Sequence, residues 1–396
     1  MTDRLYYSDS FLREFDARVF TCEPAGERYH VLLDRTAFYP TSGGQPNDTG
    51  RLGEAYVSDV FEREDHAIVH VTERALAAGP IHGRIDWERR FDHMQQHTGQ
   101  HLLSAAFIEL FKFPTVSFHL GRHASTIDLA AASLSLQQVE AAARLTNQVI
   151  FDDRPVTVRF GTAAEFAQAG ARKEVDREGT LRAICVENFD LQPCGGTHVA
   201  RTGQVGLILL RKFEKQKRNW RVEFVCGHRA LRAARGDFTT LGEAARLLTC
   251  GLSDVPAILQ KTLDERKQAH RTRQLLLEQL ARYQARELLS DISLVAPDIC
   301  RRVTRVFDEE DPAYLRLLAT HLAAEPNVQA LLATRAGGYV IFAQSPGLPA
   351  DMNELLRDTL ATAGGKGGGT RDFAQGSVPD PARLPEILFA AASRLP

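Results

Sequence analysis

Alternation of apolar and polar positions marks the first 85 residues. RYHVLLDRTAFYP and AYVSDVFEREDHAIVHVT set β-branched and aromatic residues at alternate positions, which predicts half-buried strands. TSGGQPNDTG between them gathers turn formers, so the segment predicts a small barrel or sandwich. The period becomes helical in RIDWERRFDHMQQHTGQHLLSAAFIEL, where Met94, His101, Leu102, Ala105 and Ile108 share a broad face and Asp92 is a candidate N-cap. SFHLGRHASTIDLA then predicts a strand pair, and SLQQVEAAARLTNQVIF a helix with Ser135 near its start. RPVTVRF, LRAICVENF, VGLILLRKF and WRVEFVCG predict further strands, and strands with helices on one face give an α+β domain.

From about residue 237 to 290 polarity rises and the pattern is that of a long helix. Val255, Leu259, Thr262, Arg266, Ala269, Arg273, Leu276, Leu280 and Tyr283 follow a near-heptad seam, which Arg266 and Arg273 weaken. A solvated helix packed on its own domain and a spacer or dimerisation helix both fit. Residues 296 to 396 read as a second α/β unit. The expected division is a β-rich domain over 1–85, an α+β domain over 86–235, a helical spacer over 236–292 and a C-terminal α/β domain over 293–396. The fold class expected is α+β, with a barrel-like N-terminal domain.

A chain of 396 residues exceeds one core, in keeping with that division. Net charge is −2, so any nucleic-acid contact must rest on local patches. No stretch reaches 18 uninterrupted apolar residues, and MTDRLYYSDS lacks the basic and apolar regions of a secretory signal. The six cysteines are scattered without a CxxC, which fits reduced thiols and predicts a cytoplasmic location.

The chemistry concentrates in two pairs, His97-x-x-x-His101 and Cys194-x-x-x-His198. Three imidazoles and one thiolate suit tetrahedral zinc. His97 and His101 share a helix face, and Gly195 and Gly196 would permit a positive-φ turn bringing Cys194 and His198 together. His93, one turn before His97, is a competing ligand or an outer partner. The first pair lacks the glutamate of HExxH, which argues against a zincin protease. Gly99 costs about 1 kcal/mol relative to alanine inside a helix, which close approach of a substrate would justify. Four protein ligands close a tetrahedral site, so binding of water or substrate requires a loose ligand or a fifth position.

TAFYPTSGGQPNDTG, HMQQHTGQHLLSAAF, QPCGGTHVARTGQVG and RVEFVCGHRAL together resemble the editing module of alanyl-tRNA synthetases, and most closely the freestanding AlaX-type alanyl-tRNA editing proteins. GGKGGGTRDFAQGS resembles the glycine-rich segment of a DHHA1-like domain, which points to the long form of AlaX. The resemblance implies a zinc-containing editing domain and a hydrolase that removes serine, and glycine, from mischarged tRNA(Ala). It implies His97, His101, Cys194 and His198 as zinc ligands and places Gln45 of the GGQ motif beside the editing pocket, which should lie between the first two domains.

Gln45 and Thr98 are catalytic candidates for positioning water, and the N–H groups of Gly195 and Gly196 could steady an oxyanion. Gly43 and Gly44 would shape the pocket. Ser117, with Thr126 beside it, is a candidate for recognising the serine hydroxyl. RKFEKQKRNWR offers Lys215, Lys217 and Arg218 to tRNA and Trp220 for stacking. GGKGGGT is not a Walker A loop, because position 360 is leucine, but Lys366 and the glycine N–H groups suit a phosphate. Editing of a threonine tRNA, and a non-catalytic tRNA scaffold with structural zinc, are the alternative readings. A homodimer through the C-terminal region is expected.

Overall fold

The computed structural model describes residues 2–172, 179–292 and 300–395, and the chain forms two compact units, 1–243 and 244–396. The junction expected at 292–293 borders residues outside the described set.

In the first unit, six antiparallel strands close a barrel in the order Glu14–Ala25, Arg28–Leu33, Ile68–Thr72, Ala55–Glu62, Gly50–Leu52, Gly79–Ile85. Closure leaves the short strands no free edge, and Val31, Leu33, Leu52, Val57, Val60 and Ile68 fill the interior. Helix α1, Trp87–Phe111, follows directly. It starts earlier than Asp92 because the Asp86 side chain accepts the Arg89 N–H, whereas Asp92 lies inside the helix and pairs with Arg229. Every residue from His93 to Phe107 is buried, so the helix is enclosed on all sides despite its polar sequence. Its glutamines bond neighbouring backbone: Gln96 accepts from Cys226 N at 2.8 Å and donates to Cys226 O at 3.1 Å.

Helix α2, Leu136–Phe151, opens with a Ser135–Gln138 capping box and packs on α1. A four-stranded sheet runs Ile208–Gln216, Asn219–Cys226, Ser125–Leu129, Thr115–Leu120, and a three-stranded sheet runs Val156–Gly161, Leu181–Val186, Asp190–Pro193. A short helix α3, Ala163–Gln168, precedes Leu181–Val186 in the chain. Helix α4, Gly227–Leu248, starts from a left-handed Gly227. The helical stretch expected over 237–290 is broken after α4: Thr249 is left-handed, and Pro256 opens helix α5, Val255–Ser290.

The second unit holds a five-stranded sheet in the order Arg301–Phe307, Val328–Thr334, Tyr339–Gln344, Phe373–Ser377, Lys366–Gly369, whose first pair is parallel. All of Val328–Thr334 is buried: Ala330 and Leu332 face α5 and α6 (Pro312–Ala323), while Leu331 and Ala333 face α7 (Met352–Ala361) and α8 (Leu384–Ala392). On α5 the buried face is Ala281, Ala285 and Leu289; of the seam, Leu276, Leu280 and Tyr283 are exposed. The glycine-rich run is an edge strand paired with Phe373–Ser377. A Cβ at Gly367 would stand 2.7 Å from Gln375 O and 2.8 Å from the Leu356 side chain, so the glycines let α7 lie against that edge.

Candidate metal centre

α1 presents His97 and His101 to the loop after strand Asp190–Pro193, which returns Cys194 and His198. The four ligand atoms lie within 4.8 Å of one another. Cys194 Sγ is 3.5 Å from His97 Nε2 and 3.4 Å from His198 Nε2. A tetrahedral zinc sphere with bonds of about 2.0–2.3 Å requires ligand separations of roughly 3.3–3.8 Å, which these two pairs satisfy.

The hydrogen bonds on the far side of each ring decide what the cluster can hold. Gln45 Oε1 accepts the Thr197 N–H at 3.1 Å, and Gln45 Nε2 donates to Thr197 Oγ1 at 2.8 Å, so the amide orientation is fixed. The same Oε1 lies 2.8 Å from His97 Nδ1, which must therefore carry the proton. His101 Nδ1 lies 3.2 Å from Asp190 Oδ2, and Arg172 Nε donates to Asp190 Oδ1 at 2.8 Å. His198 Nδ1 lies 3.1 Å from Thr98 Oγ1, which also accepts the Val199 N–H at 3.2 Å. With the Nδ1–H of His97 and His101 directed outward, the Nε2 atoms of the three rings gather around the Cys194 sulfur. This donor set fits a zinc-type ion.

The electrostatics are those of a thiolate held among imidazoles. Burial pushes the Cys194 thiol up, but His97 and His198 beside it, and its bonds to His101 and His198, hold it well below the usual range. Burial pushes His101 down, but Asp190 and Cys194 outweigh it and hold the ring above its ordinary value. Burial, then His97, depresses His198 and keeps it neutral.

Neither Gly195 nor Gly196 adopts a positive φ. Gly196 is required by close approach instead, since its Cβ would meet His97 Cε1 at 2.2 Å and Gln45 Oε1 at 2.9 Å. Its N–H donates to Cys194 Sγ at 3.3 Å, so it is already engaged. Gly99 also answers to packing rather than to substrate, because its Cβ would lie 2.2 Å from Cys226 Sγ. His93 is outside the ligand set; burial, followed by Arg89 and Arg229, depresses it to about 3.

One side of the cluster opens on a cavity of about 570 Å³ lined by His97, His101, Cys194, Gly43, Gly195 and Gly196, with Tyr39, Ser117, Phe118, Arg172 and Gln192. His198, Gln45 and Thr98 do not line it. Gln45 and Thr98 are fully buried; Gln45 touches the cavity-lining His97, whereas Thr98 touches His198, which does not line the cavity. Gly44, at φ +82°, packs its α-carbon close to Phe118. Ser117 donates to Asp128 Oδ2 at 2.6 Å, and Thr126 is paired opposite His119, outside the cavity.

Sequence reasoning missed Asp190, Arg172, Gln192 and Arg182. Arg182 donates to Cys194 O at 2.7 Å and Gly196 O at 2.9 Å and so fixes the ligand loop. Asp190 stands four residues before Cys194, a spacing with no meaning until the strand is seen to run beside α1.

In the basic run, Arg211, Lys212 and Arg221 pair with Asp237, Glu214 and Asp128. Lys215, Lys217 and Arg218 have no ion-pair partner among the described residues and cluster at the hairpin turn, where Lys217 has φ +54°. Trp220 is partly buried, its ring centroid 6.1 Å from that of Phe213, so it is no free stacking platform. Lys366 is exposed on the edge strand. No helix among the described residues is long and apolar enough to cross a membrane.

Comparison with known proteins places these elements. Residues 181–223 match the threonyl and alanyl tRNA synthetase second additional domain, and residues 301–395 match the DHHA1 domain. The chain is 31% identical to the alanyl-tRNA editing protein AlaX-L of Pyrococcus horikoshii, over 100% of this chain and 98% of that protein. It is 32% identical to the alanyl-tRNA editing protein Aarsd1 of Mus musculus, over 96% of this chain and 94% of that protein. Against the alanine–tRNA ligase of Pyrococcus abyssi it is 31% identical over 98% of this chain but 43% of the ligase.

Proposed function

The chain belongs to the alanyl-tRNA editing proteins, and on that premise we propose that it hydrolyses the ester of tRNA(Ala) mischarged with serine or glycine. It is an aminoacyl-tRNA hydrolase of the AlaX type. The observation that carries the reading is the cluster itself, three Nε2 lone pairs and a thiolate opening on one cavity.

A zinc ion held by His97, His101, Cys194 and His198 would supply a Lewis acid and lower the pKa of a bound water. The chain's own residues set the remaining geometry. Gln45, Thr98 and Asp190 act as positioning residues, each holding one imidazole in the tautomer that leaves Nε2 free. Gly43 and Gly44 carry the turn that brings Gln45 inward, and Gly195 leaves the cavity mouth open beside the Cys194 carbonyl. Gln192 Oε1 is buried without a hydrogen-bond partner among the described residues, so with Ser117 it is suited to meet the serine hydroxyl. Lys215, Lys217 and Arg218 at the hairpin turn, and Lys366, are assigned to tRNA phosphates. We also assign the protein to the cytoplasm, α5 to the role of a spacer, and the exposed apolar residues of α5 to pairing of two copies.

The test is hydrolysis of Ser-tRNA(Ala), Gly-tRNA(Ala), Ala-tRNA(Ala) and Ser-tRNA(Thr), with and without chelator. Chelator-sensitive loss of serine or glycine from tRNA(Ala), with alanine spared, is expected. Selective cleavage of Ser-tRNA(Thr) would move the substrate to threonine tRNA, and no cleavage by folded, zinc-loaded protein would sink the hydrolase reading.

A further inference from the structure

A second cavity, of about 740 Å³, lies at the N-terminal end of α1, away from the metal cluster. Its lining includes the opening residues of two helices, Trp87 and Arg89 of α1 and His228 and Arg229 of α4, and helix N-termini favour anions. The tip of the Thr115–Leu129 hairpin supplies Gly121 and Arg122, whereas Thr115–Phe118 of the same hairpin lines the first cavity. His93 begins one helical turn before His97, about 6 Å of rise, so the two cavities are neighbours along one helix.

The charge of this cavity is one-sided. Asp92 and Arg229 neutralise each other through bonds of 2.6–3.0 Å, and Arg229 Nη1 is held by Gly121 O at 2.6 Å. That leaves Arg89, Arg122 and Arg232 against Glu88 alone. Arg122 and Arg232 are exposed and have no ion-pair partner among the described residues. Both also line an adjoining cavity of about 390 Å³ together with His123, Glu223 and Arg211, the last paired with Asp237. His93, 4% exposed, lines the cavity with a buried Nδ1 that makes no hydrogen bond among the described residues. Trp87 and Phe91 form an apolar wall, with ring centroids 5.5 Å apart. Unpaired guanidinium groups, an unpartnered buried imidazole and an aromatic wall suit a phosphodiester chain with its bases.

We infer that this cationic cavity is a second RNA-backbone site, holding phosphates of the tRNA close to its esterified end, and that Arg122 and Arg232 are its principal contacts. The inference rests on the proposed tRNA substrate and deepens it. The site is separate from the Lys217 turn: bound here, the acceptor end is fixed beside the hairpin whose other end lines the reaction cavity.

The test is equilibrium binding of uncharged tRNA(Ala) by wild type and by an R122E/R232E variant over a range of salt concentrations, with bound zinc and melting temperature confirming the fold. Loss of two phosphate contacts should weaken binding at least tenfold near 0.1 M salt and reduce the slope of log Kd against log salt by about two. R122Q/R232Q, a milder change that keeps the side-chain bulk, should show the same slope change with a smaller loss of affinity. Unchanged affinity and slope in R122E/R232E, with a wild type that deacylates Ser-tRNA(Ala), would overturn this site alone. The expected slope change in the variant, with a wild type that binds tRNA(Ala) but deacylates nothing, would overturn the hydrolase reading and leave the site standing. No tRNA binding by the wild type would overturn the site.

Discussion

The two adjacent glycines of the Cys194 loop should respond oppositely to the same change. In Gly196→Ala the new methyl would stand 2.2 Å from His97 Cε1, 2.4 Å from His97 Nδ1 and 2.9 Å from Gln45 Oε1. Ordinary contact begins near 3.4 Å, so the ring or the loop must move by about 1 Å. The His97–Gln45 bond is 2.8 Å, and a shift of that size breaks it and turns Nε2 away from the cluster. Overpacking of this kind costs about 1–3 kcal/mol, and a 1 Å misplacement at a reacting centre about a hundredfold in rate. In Gly195→Ala the nearest atom is Tyr7 Oη at 3.6 Å, an ordinary contact, and the backbone there is not left-handed. The assay is bound zinc per chain by elemental analysis, with melting temperature and Ser-tRNA(Ala) hydrolysis alongside. Gly196→Ala should lose most of its metal and melt several degrees lower, while Gly195→Ala should keep both near wild type. Equal zinc retention in the two variants would refute the argument that close approach, rather than backbone freedom, selects glycine at 196.

Asp190→Asn should weaken zinc binding about 10–100-fold in a competitive chelator titration with little change in fold, because it removes the carboxylate that orients His101. Arg90→Ala should destabilise the first unit by about 3–5 kcal/mol in denaturant unfolding, since it leaves the fully buried Asp48 carboxylate without its partner. His70 is fully buried and burial depresses it from 6.5 to about 4, so its neutral form belongs to the folded state. The unfolded chain binds that proton first; stability is therefore full above pH 6.5 and falls by roughly 3 kcal/mol as pH drops toward 4. His70→Gln should flatten that dependence in unfolding measured at pH 7 and pH 4, and parallel pH profiles would refute the assignment.

The clustering of these four side chains was legible because metal chemistry imposes fixed residue types at fixed helical spacing, and His97 with His101 follows that spacing in the sequence. The barrel strands were legible from period-two alternation, as in Arg28–Leu33. The outer partners were not, because Asp190, Arg172 and Arg182 reach the site through strand register, which no local spacing encodes. The glycines carried a signal that was read for the wrong reason. A sequence shows that position 196 or 99 lacks a side chain, and only the fold shows whether dihedral freedom or the neighbouring His97 or Cys226 demands it. In the GGKGGG run likewise, the neighbouring Leu356 of α7 demands glycine at 367, which composition does not reveal.

All four residues of the His/Cys cluster lie outside the barrel, yet the N-terminal segment and the barrel reach into their geometry at several points. Gln45 sets the His97 proton, Tyr7 O holds Arg182 at 3.0 Å, and Ser10 O and Asp48 anchor Arg90 on α1. The ligand set is thus not a portable cassette. A fragment starting at α1 would carry every metal-binding atom, but with His97 free to protonate either nitrogen and the helix cut from its foundation. Grafting or trimming this enzyme would have to respect that boundary: the smallest piece able to keep the geometry of the cluster includes the barrel.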